Sequence, residues 1–360
     1  MLLAGCNGPA SGEGVGGPAV TGHMEVDYAD QFTVDYRSDG SSLLTVGGTD
    51  RYVLVPEGTE AAAPAGDTVI TVPVENIYLA ASSAMDLFLR LDAMDSVRMT
   101  STTLVNWSLP AVREAMEAGT LLYAGKYSAP DFELVLAEGC GLAIESTMIY
   151  HSPDIREKLE ELGVSVLVER SSYESDPLGR MEWIKVYGLL TGRTEEAEGF
   201  FDSQVSGLAD LLAAEPSGKT VAFFHINSQG AAVVRKPGDY VSRMIEMAGG
   251  RYVFDELEGQ DENALSTMNM QMEAFYAAAR DADVLIYNST IDGALYTVDQ
   301  LLEKSGLLAD FRAVQEGNVW CTEQNMFQET SAAAGVIADM HAVIAGAAGT
   351  DTLTYLHRLT

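Results

Sequence analysis

The chain has 360 residues, 47% of them hydrophobic, which is enough for a sizeable core spread over more than one domain. Its 53 acidic and 21 basic residues give a formal net charge of −32. A surface this negative repels phosphate backbones and anionic membrane surfaces, so we exclude nucleic acid as a partner.

Residues 3–6 (Leu-Ala-Gly-Cys) resemble the lipobox of bacterial lipoproteins, in which the cysteine, here Cys6, is lipidated. Residues 7–21 are rich in Gly, Ser, Ala and Pro, a composition typical of a flexible tether. The basic segment and most of the apolar segment of a signal peptide are missing before this motif. We expect residues 1–22 to be a lipobox and tether that anchor the protein to the cell membrane, outside the cytoplasm.

Residues 24–56 alternate apolar and polar side chains around turn signals, which predicts a small antiparallel β appendage. An Ala/Pro/Gly-rich connector follows at residues 57–67, so we assign residues 23–66 to the appendage and connector. Residues 68–72 (Thr-Val-Ile-Thr-Val) predict the first buried parallel strand of an α/β lobe, and a helix is predicted over residues 77–91.

Strand and helix patterns then alternate through an N-terminal lobe that we assign to residues 67–193. The further strands are predicted at residues 121–124, 141–145 and 164–168, and the helices at residues 131–138 and 153–162. Each strand is a short apolar run, which is typical of a parallel sheet covered on both faces.

Residues 194–216 predict a long inter-lobe helix. Its apolar side chains recur at three- and four-residue spacing, at Ala197, Phe201, Val205, Leu208 and Leu212. At 1.5 Å per residue such a helix is roughly 30 Å long, enough to pass from one lobe to another.

Residues 217–360 repeat the alternation and form the predicted C-terminal lobe, with strands at 219–224, 282–287 and 319–321 and helices at 240–248, 272–280 and 330–345. The predicted fold class is therefore α/β. It has two Rossmann-like lobes joined by a long helical spine, a ligand cleft between the lobes, and a small N-terminal β appendage.

Several segments, in their order along the chain, carry a resemblance to a known family: residues 129–133, 141–147, 171–185, 187–188, 191–193, 282–288 and 311–320. From about residue 67 the chain resembles the substrate-binding proteins of ABC importers, of the type that carries iron complexes and cobalamin. The resemblance implies a ligand held between the lobes, and a membrane permease with its ATPase as partners. We expect a monomer. The β appendage lies outside the family's pattern.

The sequence contains no phosphate-binding P-loop, no His-Glu-x-x-His, no Cys-x-x-Cys and no Gly-x-Ser-x-Gly. Its five histidines are scattered, at positions 23, 151, 225, 341 and 357, which makes a histidine-rich metal cage hard to build. Cys140 and Cys321 fall in opposite lobes, where we expect two buried thiols rather than a disulfide. We expect no cofactor, no metal held by protein side chains alone, and a binding protein rather than an enzyme.

Ligand contacts are predicted where strands end, because open α/β sheets bind ligands there. The N-terminal lobe offers Trp107, Lys126, Tyr127, Met148, Tyr150, His151 and Tyr173. Tyrosine and histidine can ligate a haem iron, and an aromatic ring beside a lysine suits a planar or anionic chelate. Alternatively, Trp107 packs on its own loop, Tyr150 caps the core and His151 is a surface residue.

The C-terminal lobe offers His225, Asn227, Arg235, Asn288, Met326 and Phe327. Arg235, in a chain this acidic, could hold a carboxylate or phosphate of the ligand; alternatively it belongs to a solvated turn. The resemblance also implies acidic residues at each lobe tip that dock to the permease. The candidates are Asp154 or Glu157 in the first lobe and Asp292 or Asp299 in the second.

The first hypothesis is a lipid-anchored binding protein that captures an iron chelate (siderophore or haem) or a corrinoid and delivers it to a permease. A second is an enzyme resembling tetrapyrrole metal chelatases, with His151 or His225 as base, although such an enzyme needs no lipid anchor. A third is a surface lipoprotein that scavenges ligand without its own permease.

Overall fold

The computed structural model of the chain describes residues 17–60, 63–64, 66–257, 266–347 and 353–360. Cys6 and most of the predicted tether lie outside these residues. Within the described ranges, no helix is both long and apolar enough to cross a membrane.

The N-terminal appendage is a five-stranded sheet built from β1 (Val20–His23), β2 (Phe32–Arg37), β3 (Ser42–Val46), β4 (Asp50–Pro56) and β5 (Thr68–Val72). The strands lie in that order. The first four are antiparallel, as the alternating sequence predicts, and β5 runs parallel to β4.

The strand β5 belongs to a different sheet from the one that the sequence predicts. We expect it to open the sheet of the N-terminal lobe, but it pairs with β4, with Thr68 opposite Tyr52. Within β5, Ile70 is 4% exposed and Val69 is 47% exposed, so one face of the strand is in solvent. A short β-branched run predicts a strand, but it does not specify which strand it pairs with.

Two buried carboxylates fix the appendage to the rest of the protein. Glu182 accepts hydrogen bonds from the backbone N–H groups of residues 27–29 at 3.0, 2.8 and 2.9 Å. Glu174 accepts two more from residues 30–31 at 2.8 and 3.1 Å, and the Nε1–H of Trp183 donates to it at 2.9 Å. Buried apolar residues of the appendage, such as Phe32 and Leu44, also belong to one continuous core with residues of the spine and the lobes.

The N-terminal lobe contains the strands β6 (Ile77–Leu79), β7 (Val97–Thr100), β8 (Leu122–Tyr123), β9 (Gly125–Lys126), β10 (Ala129–Pro130), β11 (Leu142–Ser146) and β12 (Ser165–Glu169). Its helices are α1 (Met85–Arg90), α2 (Pro110–Glu117), α3 (Phe132–Ala137) and α4 (Pro153–Glu161). Five strands form a parallel sheet in the order β12-β11-β6-β7-β8, while β9 and β10 form a separate ribbon.

The centre of this sheet is β6, at a position where the sequence predicts the start of a helix. Three consecutive apolar residues are too few to show a period, and the helical spacing of α1 dominates the same window. The sequence pattern also does not predict β7 or α2. The strands β8, β11 and β12 and the helices α3 and α4 lie where the sequence predicts them.

The spine consists of three consecutive helices, α5 (Pro177–Glu182), α6 (Ile184–Thr191) and α7 (Thr194–Leu212). Gly192 ends α6 in the left-handed conformation, with φ of 72°. The predicted apolar stripe of α7 packs inward through Ala197, Phe201 and Leu208. The helix contacts α6 on one side and a helix of the C-terminal lobe on the other, as an inter-lobe helix should.

The C-terminal lobe contains β13 (Thr220–Ile226), β14 (Ala232–Arg235), α8 (Tyr240–Met247), β15 (Arg251–Tyr252), β16 (Thr267–Met270), α9 (Met272–Ala279), β17 (Val284–Tyr287), α10 (Val298–Lys304), α11 (Arg312–Gln315), β18 (Val319–Thr322), α12 (Ala333–Ala345) and β19 (Leu356–Arg358). The sheet order is β16-β14-β13-β17-β18-β19, and β15 also pairs with β13. The parallel strands β13, β17 and β18 match the prediction, whereas β14, β16 and β19 are antiparallel additions that the sequence does not reveal.

The C-terminal ends of the parallel strands of the two lobes face each other. The Thr330 hydroxyl, after β18, donates to the Ser83 carbonyl oxygen, after β6, at 2.7 Å. The Ser108 backbone N–H, after β7, donates to the Gln328 side chain at 2.8 Å. Between these strand exits lies the inter-lobe cleft.

Candidate functional site

The cleft contains a cavity of about 840 Å³. Its wall comes from the loop after β7 and the start of α2 in one lobe, and from the segments after β17 and β18 in the other. The lining is rich in amide and hydroxyl groups, among them those of Asn106, Ser108, Thr290, Gln324, Asn325 and Gln328. Such a wall offers many neutral hydrogen-bond donors and acceptors to a ligand.

Trp107 is the one predicted ligand contact among the described residues that line this cavity. Its side chain is 1% exposed, and its Nε1–H donates to the carbonyl oxygen of Thr102 at 3.3 Å. The ring therefore packs on its own loop and holds the cavity wall in shape. A direct contact between Trp107 and a ligand stays a prediction.

Three predicted residues of the C-terminal lobe come together near the lobe interface. The Arg235 guanidinium lies 5.0 Å from the centre of the Phe327 ring and 5.5 Å from that of Tyr240, and Met326 and Phe327 line the same small pocket with Arg180. Arg235 is 8% exposed and pairs with Asp239 at 3.6 Å. It is thus an interior cation rather than part of a solvated turn.

His225 is buried near the end of β13, and burial lowers the pKa of its imidazole, although Asp292 opposes this effect. The Asn227 side-chain oxygen accepts from the backbone N–H groups of Gln229 and Ala231, which shapes the turn before β14. The Asn288 side-chain oxygen accepts in a similar way from Thr290. Both asparagines therefore support turns, and their contact with a ligand stays a prediction.

The remaining predicted contacts of the N-terminal lobe lie at strand exits, but they do not line the large cavity. Met148 and Tyr150 follow β11 and are 47% and 44% exposed, and Tyr173 follows β12 with the Arg170 guanidinium 4.5 Å from its ring centre. His151 and Lys126 are exposed and Tyr127 is half-buried. Met148 and Tyr150 therefore expose apolar side chains just after β11, outside the lining of the large cavity.

The acidic residues predicted for docking lie on the lobe surfaces. Asp154 and Glu157 are exposed on α4, and Asp299 is exposed on α10. Asp292 is paired with Lys304 at 3.3 Å, so its charge is partly compensated. That these carboxylates dock to a permease stays a prediction.

The sequence does not single out Gln328, Asn106 or Ser108, which bond to one another across the cleft. Gln328 could have been found from the mostly polar run at residues 323–329, which follows β18. The sequence-based prediction names only Met326 and Phe327 from this run. Arg180 and Tyr240 are likewise missed, because their contact joins the spine to the C-terminal lobe.

Across the part of the chain that the structure describes, no group of three His, Cys, Asp or Glu side chains could hold a metal ion. Cys140 and Cys321 are both buried and unpaired there. Glu145, at the end of β11, is fully buried and its carboxyl oxygens have no hydrogen-bond partner among the described residues. Burial raises the pKa of Glu145 to about 8.

No family model matches the chain. It is 22% identical over 270 residues to an uncharacterized lipoprotein of Methanocaldococcus jannaschii, and this match covers 72% of the chain and 62% of the relative. The chain thus spans less than two thirds of that relative's length. A second uncharacterized lipoprotein of the same organism is 25% identical over 356 residues, covering 93% of the chain and 86% of the relative.

Solved structures share the architecture at low sequence identity. A periplasmic heme-binding protein of Vibrio cholerae has a TM-score of 0.60 at 18% identity, covering 75% of this chain and 98% of that one. One from Pseudomonas aeruginosa has a TM-score of 0.60 at 17% identity, covering 79% and 98%. A periplasmic vitamin B12-binding protein of Vibrio cholerae has a TM-score of 0.53 at 14% identity, covering 76% and 98%. The chain therefore has the two-lobed, helix-joined fold of these periplasmic binding proteins.

Proposed function

We propose that the protein is the extracytoplasmic substrate-binding component of an ABC importer. It captures an iron chelate (siderophore or haem) or a corrinoid between its lobes and delivers it to a membrane permease. The observation that carries the proposal is the polar cavity of about 840 Å³ between the facing strand ends of the two lobes. A cavity of this size suits a large chelate, and the fold neighbours named above are binding proteins for haem and vitamin B12.

A lipid on Cys6 would hold the protein at the membrane, near its permease. The motif before Cys6 and the naming of two relatives as lipoproteins support this part of the proposal. Cys6→Ser is expected to release the protein from the membrane fraction of its native host, while a Cys140→Ser variant stays anchored because that thiol is buried in the N-terminal lobe.

Docking would use the exposed carboxylates of Asp154 and Glu157 on one lobe and Asp299 on the other. Asp154 and Glu157 lie on α4, which follows β11 along the chain, and Asp299 lies on α10, which follows β17. Basic residues of a permease would attract them, and the attraction would weaken as salt rises.

The test is ligand-induced stabilisation of the purified full chain. Haemin, a set of ferric siderophores and cyanocobalamin are each added in large excess, and the melting temperature is recorded. A ligand that binds only the folded state raises the free energy of unfolding by mass action, by about 4 kcal/mol at a thousandfold excess over Kd, and the melting temperature rises with it. If none of the three classes shifts it, the proposed ligand class is wrong. The absorption spectrum and metal content of protein purified from its native host would identify a bound chelate directly.

A further inference from the structure

One side chain of the C-terminal lobe carries three hydrogen bonds to the N-terminal lobe. The Gln328 side-chain oxygen accepts from the Ser108 backbone N–H at 2.8 Å and from the Ser108 hydroxyl at 2.6 Å. The Gln328 side-chain NH₂ donates to the Asn106 carbonyl oxygen at 2.7 Å. A single carboxamide thus matches two donors and one acceptor of the opposite lobe.

These three residues also line the large cavity. The groups that hold the lobes together here are therefore the groups that a ligand in the cavity would meet. Trp107 lies between Asn106 and Ser108 and is held by its bond to Thr102. The loop of the N-terminal lobe that contacts Gln328 is therefore preorganised.

A second set of inter-lobe bonds lies outside the cavity lining. The Ser331 backbone N–H donates to the Asp86 carboxylate at 2.8 Å, and the Arg90 Nε–H donates to the Ser331 hydroxyl at 2.8 Å. The Thr330 hydroxyl donates to Ser83, as described above. A ligand can therefore replace the Gln328 contact while this second set still joins the lobes.

We propose that Gln328 is a specificity-determining latch, which occupies the subsite at Asn106 and Ser108 until a carboxamide of the ligand displaces it. This inference rests on the proposed function, and it selects one substrate class within it: a chelate with primary carboxamides at its periphery, as in a corrinoid, over one with carboxylates, as in haem. A carboxylate in this subsite would place an oxygen against the Asn106 carbonyl oxygen and lose one bond. The described cavity wall also carries Glu323 and Glu329 against the single guanidinium of Arg113, which disfavours an anionic ligand.

The experiment compares the full chain with Gln328→Ala. Cyanocobalamin presents carboxamides and haemin presents carboxylates, and the affinity of each is measured by calorimetric titration. Removing a competitor for the subsite increases the fraction of binding-competent protein. We expect Gln328→Ala to bind cyanocobalamin about tenfold more tightly, which is the effect of about one net hydrogen bond. Haemin is expected to bind the unmodified chain more weakly than cyanocobalamin does.

Gln315→Ala is the matched control, because Gln315 is an exposed glutamine of the same lobe, on α11, and does not line the cavity. It should leave the affinity for cyanocobalamin unchanged. Weaker or unchanged binding by Gln328→Ala would overturn the latch, and tighter binding of haemin than of cyanocobalamin by the unmodified chain would overturn the carboxamide selection while leaving the proposed function intact.

A ligand-free readout separates the latch from the proposed function. In the chain without ligand, hydrogen exchange at the Ser108 backbone amide should be faster in Gln328→Ala than in Gln315→Ala, because that N–H loses its acceptor. Equal exchange rates would overturn the latch whatever the titrations show. If neither chelate binds any variant, the carboxamide selection fails, and the proposed function then depends on the ferric siderophores of the melting-temperature test. The exchange result alone then decides whether Gln328 holds Ser108.

Discussion

The carboxylate of Glu182 and the ammonium of Lys185 lie 2.8 Å apart, and their side chains are 0% and 5% exposed. The Lys185 ammonium also donates to the carbonyl oxygen of Glu25 at 2.8 Å. This pair therefore joins the spine to the appendage in a place that water does not reach. Removal of one partner leaves the other charge buried and unpaired, which is costly.

Lys185→Met is expected to lower the free energy of unfolding by about 3 kcal/mol or more for this reason. Lys158→Met is the matched control. Lys158 pairs with Glu161 at 3.2 Å with both side chains at least half exposed, so its loss should cost at most about 1 kcal/mol. Urea unfolding measures both values, and similar midpoints for the two variants would contradict the importance given to the buried pair.

Gly179 and Gly199 provide a second matched pair, since both are helical glycines of the spine. A Cβ at Gly179 would lie 2.8 Å from the carbonyl oxygen of Tyr28 in the appendage, whereas a Cβ at Gly199 meets nothing within 4 Å. Gly179→Ala is expected to destabilise the protein by about 1–3 kcal/mol, because backbone must move to make room. Gly199→Ala should stabilise it by roughly 0.5–1 kcal/mol through helix propensity. Thermal unfolding that ranks the two variants in the reverse order would show that the appendage does not pack here.

Glu145 gives the protein a pH dependence of known sign. Its pKa is raised from 4.5 to about 8 by burial, so between these values the folded state holds a proton that the unfolded state has released. The free energy of unfolding therefore falls as pH rises through this window, by on the order of 1 kcal/mol per pH unit for this one group. Below this window the carboxyl is protonated in both states, so it no longer changes the free energy of unfolding with pH.

Glu145→Leu should remove this contribution, so its stability relative to the unmodified chain should increase from acidic to alkaline pH. Glu157→Leu, which removes an exposed carboxylate from α4, serves as the control and should show no such increase. Unfolding midpoints measured across the window decide the matter. Parallel curves for Glu145→Leu and the unmodified chain would mean that Glu145 does not titrate as described.

The net charge of −32 predicts that salt stabilises the protein. Self-repulsion of a strongly charged chain is relieved when it unfolds, and salt screens that repulsion in the folded state. An increase from about 0.1 M to about 1 M NaCl shortens the screening length from about 10 Å to about 3 Å. The melting temperature should rise over this range, and the rise should exceed that produced by sucrose at equal osmolality. A flat or falling curve would show that repulsion among the acidic residues is unimportant.

Much of the fold could be predicted, because apolar strands such as β11, β12, β13 and β17 are continuous runs between clear turn signals. The sheet partner of β5 and the strand β6 could not, since pairing depends on residues far along the chain and three residues show no period. At the site, strand exits could be located, but not which side chains meet across the cleft. Gln328 lies 220 residues from Ser108, so no local pattern links them.

The carboxylates that hold the appendage come 143 to 155 residues later in the chain than the backbone groups they bind. At ordinary rates of translation, the ribosome needs on the order of 10–30 s to add that many residues. During this interval the N-terminal strands are made without the Glu174 and Glu182 carboxylates that bind them, and Phe32 on β2 lacks the Trp183 ring that it packs against. The appendage therefore cannot take its final place until the spine helices have been synthesised.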